Sequence, residues 1–441
     1  MSPTLLKTIK RIIMKVKRPS GFLYFIAYVL VYPFLKVAFR LKVDRSDFDL
    51  PNGAHVIVAN HNTMVDFLFA MIPLYPHRLN TVVSRKYFNV PVLHKVLPVG
   101  GCIPKSMFEP DLQSIIGIKT VLKRGDGLLL FPEGRCTSSG TYMGMHKSTG
   151  KMIKKFDVPV VTCYIEGAEN CISHWRKGFR FGRVRVTFKN LLSSDDIKSL
   201  SVDEINAAID ARLSGVEGVP PPKKPLETLH ARRLAEGLHL VLFYCPKCKS
   251  EFTMSSKGNR IFCTACGNAA VIDRSSKLTP TYDSVMQTEI SLWFRDQARH
   301  VMQALSDDMD PIIDKVIVRT SSSKPGGGMI ESGYGTMRID PKGWHFDGEI
   351  SNEQVSLFFP VESVPAMSYN HNDNYQIYGG GEHYMFTPQD PRKCIKYVVL
   401  AECLHWKFSS NILLTSGVNN GFAPYDTDEA EFELEAKGMA I

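Results

Sequence analysis

Hydrophobic and polar positions alternate in three different ways along this chain. From Pro19 to Leu35, seventeen residues pass without a charge. That is short for a full membrane span. Lys17 and Arg18 precede the run, Lys36, Arg40 and Lys42 follow it, and Pro33 falls near its end. Charge on both flanks gives no inside and outside, and proline interrupts helices, so the run is expected to form an in-plane or re-entrant anchor. A secretory leader has the same basic-then-apolar order but needs a small-x-small cleavage site, which does not follow; a helix buried inside the protein is the third reading. Further on, short near-continuous apolar runs (Val56 to Ala59, Gly127 to Leu130) read as strands, and Met64, Phe67, Leu68 and Met71 have helical spacing. Asn62 or Thr63 is expected to cap that helix.

From about Pro311 the texture changes again. VIVRT, GTMRIDPKGWHFDG, VSLFFPVESV and YQIYGGGEHYMF read as strands separated by glycine-rich turns such as KPGGG, and Cys394, Val398 and Ala401 then return to helical spacing. The strand order and closing helix faintly resemble a pleckstrin or GRAM-type module. Between the two regions, EGVPPPKKPLE (Glu217 to Glu227) reads as a linker, with helices expected from about Leu226 to Leu242 and from Met286 to Leu305. The expected organisation is an anchor at 1–40, an α/β domain with a mixed sheet flanked by helices at 41–215, linker and helix at 216–240, a cysteine-rich ribbon at 241–275, and a small β-rich domain at 310–441.

Two motifs carry the chemistry. In VIVANHNTMVD, His61 stands in the turn after a strand and Asp66 lies in the first turn of the following helix. A histidine still in the turn can fold back onto that carboxylate, which suits a base and its orienting partner. Thr63 and Asp66 also have the form of a capping box. The second motif is FPEGRCT, Phe131 to Thr137, at the end of another strand, where open α/β sheets gather their ligands. Cys136 reads as a small packing residue, since no histidine adjoins it in sequence.

Together the two blocks resemble the glycerolipid acyltransferase family, with its HX4D and FPEGTRS-like motifs. GGCIPKSM (Gly100 to Met107) is similar to the family's acceptor-binding loop, VPVV (Val158 to Val161) to its apolar fourth block, and Lys147 and Gly150 to a recurrent lysine and glycine. The resemblance covers roughly residues 40 to 215. It implies acyl transfer from acyl-CoA or acyl carrier protein to a lysophospholipid hydroxyl, with His61 and Asp66 catalytic and Glu133, Gly134, Arg135, Lys105 and Lys147 binding substrate. The chain departs from the pattern where Arg135 and Cys136 replace the family's Thr and Arg, and where Met107 takes the second block's usual arginine.

Charge and cysteine use add the setting. The first forty residues hold eight Lys or Arg and no acid, within a net charge of +9; anionic membrane lipids are the natural counterpart. CPKC (Cys245, Cys248) and CTAC (Cys263, Cys266) have the spacing of a structural zinc ribbon, with rubredoxin-type iron as the chemical alternative. The other six cysteines show no paired spacing, which fits a reducing compartment and places the protein on the cytoplasmic face of a membrane, peripheral or monotopic. A scaffold or nucleic-acid-binding protein is the reading from another class. Lys247, Lys249, Lys257 and Arg260 lack the aromatic interleaving of strand binders, so no nucleic-acid partner is expected.

Overall fold

A computed structural model describes residues 16–215, 222–410 and 413–415. Part of the expected anchor (1–15) and of the linker (216–221) lies outside the described residues. The first unit is a seven-stranded sheet: β1 (Lys42–Asp44), β2 (His55–Ala59), β3 (Leu79–Ser84), β4 (Cys102–Lys105), β5 (Gly127–Leu130), β6 (Val160–Glu166) and β7 (Arg185–Leu192). Their order is β1-β7-β6-β2-β5-β3-β4, and only the β6–β7 pair is antiparallel. This is the mixed α/β sheet the apolar runs point to. Central parallel strands are covered on both faces, which is why they read as continuous apolar runs. Along β2, Ile57 and Ala59 pack with Phe69 and Leu74 on one face. Val56 and Val58 pack with Ile118, Val121, Ile205 and Ile209 on the other.

The apolar run near the N-terminus is the helix Gly21–Ala38, which continues through Pro33 rather than ending there. Pro33 lies on the exposed side, so its missing N–H leaves the packed face intact. Tyr24 fixes the helix to the sheet: its hydroxyl donates to the Leu79 carbonyl (2.9 Å) and accepts from the Leu79 N–H (3.0 Å). Leu35 and Ala38 also pack into the core, while the opposite side faces outward, with Phe22 73%, Leu30 66% and Val37 73% exposed. The buried-helix reading does not hold.

The second unit begins with four antiparallel strands, β8 (Met254–Lys257), β9 (Arg260–Cys263), β10 (Ala269–Ile272) and β11 (Leu278–Pro280), followed by the helix Ile290–Gln303. Seven further antiparallel strands follow: β12 (Ile312–Ser321), β13 (Met329–Asp340), β14 (Gly343–Ile350), β15 (Glu353–Pro360), β16 (Ser368–Asn370), β17 (Asn374–Gly379) and β18 (Glu382–Pro388). They lie in the order β15-β14-β13-β12-β18-β17-β16, and the helix Cys394–Phe408 completes the unit. One apolar core joins Cys245, Ile261 and Ala270 of the ribbon to Trp293, Trp344, Phe386 and Leu400. The boundary expected between 275 and 310 therefore separates no cores.

The helix expected over 226–242 is absent; the segment is irregular apart from the 3-10 turn Leu238–Leu240. Its apolar residues Leu234, Ala235, Leu238, Val241 and Leu242 are all buried, which imitates helical spacing. Its backbone groups find partners elsewhere: the Leu234 N–H donates to Asn259 Oδ1 (2.9 Å), Ala235 N–H to the Gly258 carbonyl (3.0 Å) and Phe243 N–H to Gln297 Oε1 (3.1 Å). Apart from a single i→i−4 bond, Leu242 N–H to the Leu238 carbonyl (3.0 Å), local turns and tertiary partners satisfy the chain.

The second unit docks on the strand ends of the first through polar groups. Tyr369 donates to Ser138 (3.0 Å), Lys86 Nζ to Gln376 Oε1 (2.8 Å), Ser84 and Tyr378 share a hydrogen bond (2.9 Å), and the Lys147 N–H donates to the Leu413 carbonyl (2.9 Å). The turn between β12 and β13 reaches across as well, with Gly328 N–H donating to the Asn89 carbonyl (2.7 Å). Deepest is the ion pair of Arg135 with Glu402, whose side chains are 7% and 4% exposed. Removing one member of such a pair strands a buried charge and costs about 3–5 kcal/mol, whereas replacing both with apolar residues is often near neutral. Glu402→Leu should therefore lower the thermal unfolding midpoint sharply, and Arg135→Met together with Glu402→Leu should recover most of it. Equal destabilisation by the single and double variants, measured by calorimetry, would refute this account of the docking.

Candidate active site

Because β2 and β5 are parallel neighbours, the loops after them leave the same edge of the sheet side by side. Asn60 ties the first loop to β6: its amide donates to the Ile165 carbonyl (2.8 Å) and its oxygen accepts from the Ile165 N–H (2.7 Å). His61 follows and is held at both backbone ends. Its N–H donates to Glu133 Oε1 (2.6 Å), and its carbonyl accepts from the Thr137 N–H (2.8 Å). The imidazole stacks on Phe131 at 4.3 Å.

Asp66 meets the ring as the spacing suggests, with Oδ2 3.1 Å from His61 Nδ1. The same carboxylate accepts from the Thr63 N–H (2.7 Å) and hydroxyl (2.6 Å). The capping-like contacts and the histidine contact thus coexist. The helix itself is shorter than expected, Asp66–Met71, with Val65 at its N-cap and no side-chain cap. Thr63 is engaged with Asp66 instead.

Several residues expected to bind substrate make contacts within the chain here. Glu133 is buried, and both its oxygens accept backbone N–H groups, from His61 and from Met143 (3.0 Å). Burial pushes its carboxyl up to about 8 against the pull of those donors. Gly134 directs its N–H back to the Phe131 carbonyl (3.1 Å) at φ +74°, closing the turn rather than offering an oxyanion donor. Arg135 turns away to Glu402. Lys105 donates to the carbonyls of Ser106 (3.2 Å) and Glu109 (3.1 Å), bracing its own loop. Lys147 is exposed, in a separate cleft beside His146, Lys151 and Asp203.

Two further residues bear on the site, Cys136 beside the histidine and Lys86 within electrostatic reach of Cys136. Cys136 Sγ is 3.5 Å from His61 Nε2, although 75 positions separate them in the chain. The signal was the departure from the family motif at that position. Lys86 presents a half-buried ammonium whose field reaches Cys136; burial lowers its pKa to about 8. Burial acts to lower the pKa of His61, yet its interactions with Cys136 and with the Asp66 carboxylate raise it well above the ordinary histidine value.

A protein-family model described as Acyltransferase matches residues 40–166, the stretch that contains both loops. Residues 40–166 thus form an acyltransferase-family domain. Among solved structures, the acyltransferase domain is similar to the 1-acyl-sn-glycerophosphate (LPA) acyltransferase PlsC from Thermotoga maritima. The alignment has 14% identity, covers 46% of this chain and 81% of that chain, and has a TM-score of 0.38. No curated protein matches the chain.

Beyond the acyltransferase domain, Cys245, Cys248, Cys263 and Cys266 place all four sulfurs within 4.8 Å of one another. The Cys245–Cys266 and Cys248–Cys263 separations are both 3.7 Å. A tetrahedron with Zn–S bonds of about 2.3 Å has edges of about 3.8 Å, so the donor set fits a metal such as zinc with no open position. Two knuckle turns shape it. Lys249 N–H donates to the Cys245 carbonyl (2.9 Å) and Gly267 N–H, at φ +75°, to that of Cys263 (3.0 Å). Cys248→Ser or Cys263→Ser should lower bound metal and, because the ribbon shares its core with β12–β18, depress the unfolding temperature of the whole second unit. Elemental analysis of protein purified without chelators reads the first effect. A protein that carries neither zinc nor iron would overturn the assignment.

Proposed function

We propose that the protein moves a fatty acyl group from a thioester donor, acyl-CoA or acyl carrier protein, to the free hydroxyl of a lysophospholipid, 1-acylglycerol-3-phosphate foremost. The observation that carries this reading is the His61–Asp66 pair at 3.1 Å inside an acyltransferase domain. Asp66 fixes the ring so that Nε2 is the nitrogen free to take a proton, and it stabilises the imidazolium that forms. The neighbouring cation is Lys86, not Arg135, and it supports an anionic acceptor. Glycerol-3-phosphate offers the same phosphate and is the alternative acceptor. A scaffold role gains no comparable support, since it gives the histidine pair nothing to do.

The outward apolar helix Gly21–Ala38, together with Met64 (56% exposed) and Phe67 (41%) just after the histidine loop, supports membrane attachment of the monotopic kind. Contiguous exposed apolar surface of this sort marks a membrane or protein contact. None of the ten cysteines, all among the described residues, forms a disulfide, which suits the cytoplasmic face. We assign the β12–β18 sheet with its closing helix to shaping the acyltransferase site on which it docks.

Purified full-length protein, given palmitoyl-CoA and a panel of lysolipids, should release CoA thiol and form the diacyl product with lysophosphatidic acid. His61→Ala should lower turnover by about two to four orders of magnitude, the usual contribution of a positioned base. Lys86 loses its proton as pH rises through about 8. KM for phosphate-bearing acceptors should therefore climb above that pH while KM for monoacylglycerol stays level, and Lys86→Met should abolish the difference. Absence of acylated product with every lysolipid would end this reading.

Attachment can be tested without truncation. Phe22→Glu, Leu30→Glu and Val37→Glu together should shift the protein from the membrane to the soluble fraction, while high salt alone weakens binding of the unaltered chain only partly. An unaltered chain that is fully soluble without detergent contradicts it.

A further inference from the structure

We propose that the helix Leu93–Val99 is a second membrane-dipping element, which together with the helix Gly21–Ala38 seats the acceptor side of the site on an anionic bilayer. This rests on the monotopic reading above and adds to it where the lipid surface lies and how a lysolipid comes to the site. The helix belongs to the connection from β3 to β4. From Asn89 to Gly101 that connection reads NVPVLHKVLPVGG, with Lys95 as its only formal charge. A soluble surface helix turns a polar stripe outward. Here Val92, Lys95, Val96 and Val99 stand at i, i+3, i+4 and i+7, and the three valines are 68%, 39% and 44% exposed. No residue of this helix is buried. Val92 also holds φ +69°, a left-handed backbone that a β-branched residue rarely adopts, so a strained position displays an apolar side chain to the outside.

Topology puts this stripe on the face that already presents apolar residues. β2, β5, β3 and β4 are parallel neighbours in that order, so the chain steps the same way along the sheet from β2 to β3 and from β3 to β4. Right-handed crossovers place both connecting helices, Asp66–Met71 and Leu93–Val99, on one face. The helix Gly21–Ala38 lies on that face too, because Tyr24 and Leu35 share a core with Phe69. The step back from β4 to β5 puts the helix Leu112–Lys123 on the other face, where Ile118 and Val121 pack. Two contacts join the exposed helices end to end: Ser20 N–H donates to the Val99 carbonyl (3.0 Å), and a Cβ on Gly101 would lie 2.8 Å from Pro19 Cγ. The apolar surface of Phe22 and Leu30 is therefore continued by Val99, Val96 and Val92.

Charge selects the occupant. Lys95 stands inside the stripe, and among the described residues its ammonium has no carboxylate partner. A lysine that lays its stem along apolar surface and ends at anionic headgroups fits that place. The opposite flank of the helix is already covered, since the β12–β13 turn lies against His94 and Asn89. The same connection carries Lys86 near its start. A lysolipid whose acyl chain stays in the bilayer turns its phosphate toward that ammonium, and the acceptor arrives sideways from the lipid phase rather than from water.

The test uses the full-length protein and vesicles of phosphatidylcholine with phosphatidylglycerol. Brominated acyl chains in these vesicles should quench the added fluorescence of both Val96→Trp and Leu30→Trp, measured against the unaltered protein, and vesicles without the anionic lipid should bind the protein less. Val92→Glu together with Val96→Glu, at exposed positions, should keep the melting temperature of the parent. This variant should lose at least about tenfold in turnover of lysophosphatidic acid presented in vesicles, and keep its turnover of a short-chain, water-soluble lysophosphatidic acid. Quenching of Leu30→Trp without quenching of Val96→Trp, or full vesicle turnover by the glutamate variant, would overturn this inference and leave the anchor helix standing. Quenching of neither would overturn the membrane reading itself. A smaller oligomer for the glutamate variant in detergent, read by light scattering, would assign the stripe to a second copy of the chain and overturn the inference as well. The quenching needs no turnover, so a failure of lipid acylation is distinguished from a failure of this contact.

Discussion

Glu133 is the residue on which the site depends. One buried carboxyl receives the His61 N–H from the loop after β2 and the Met143 N–H from the chain after β5. Two loops that share only their strands' parallel pairing thereby become one rigid piece. Desolvating a carboxyl is costly, and two hydrogen bonds from backbone donors offset part of that cost. With the His61 backbone fixed, the ring plane follows from stacking on Phe131, the tautomer from Asp66, and the distance to Cys136 from the Thr137 bond. In this chain Glu133 acts on the site through the backbone, joining the two loops that carry the histidine and the motif.

The second unit gives that piece its dielectric. Gln376, Tyr378 and Glu402 all reach the strand-end edge of the first sheet, and the His61 side chain keeps only 19% of its exposure. Charges near the histidine are felt strongly there because little water screens them. The ribbon belongs to the same mechanical body. Its cysteines share a core with the helix Cys394–Phe408, whose Glu402 holds Arg135 next to Cys136. A structural metal can in this way bear on a site it never touches.

Local physics made much of this legible in the sequence. The strands β2 and β5, the His61–Asp66 contact, the cysteine tetrad and the succession of β12–β18 all follow from period, spacing and turn residues. What escaped was set by distant partners. The apolar spacing of 226–242 came from burial among ribbon and helix, which periodicity cannot tell from helix formation. The charge of Arg135 and Lys105 is visible in sequence, while Glu402 and the loop carbonyls that engage them are not. Cys136 was set aside because its histidine is adjacent only in space, even though the displaced arginine of the motif marked the position as unusual.

The turn between β12 and β13 shows how docking changes what a loop can be. KPGGG has the composition of a flexible hairpin tip, and in an isolated sheet its sequence could drift. Here Gly328 N–H is bound to the Asn89 carbonyl, and a Cβ at Gly326 would sit 2.5 Å from His94 Nδ1, with both glycines at positive φ. Evolutionary freedom is accordingly redistributed: this surface tip is constrained like an interior position, and insertions that a hairpin ordinarily absorbs would pry the two units apart.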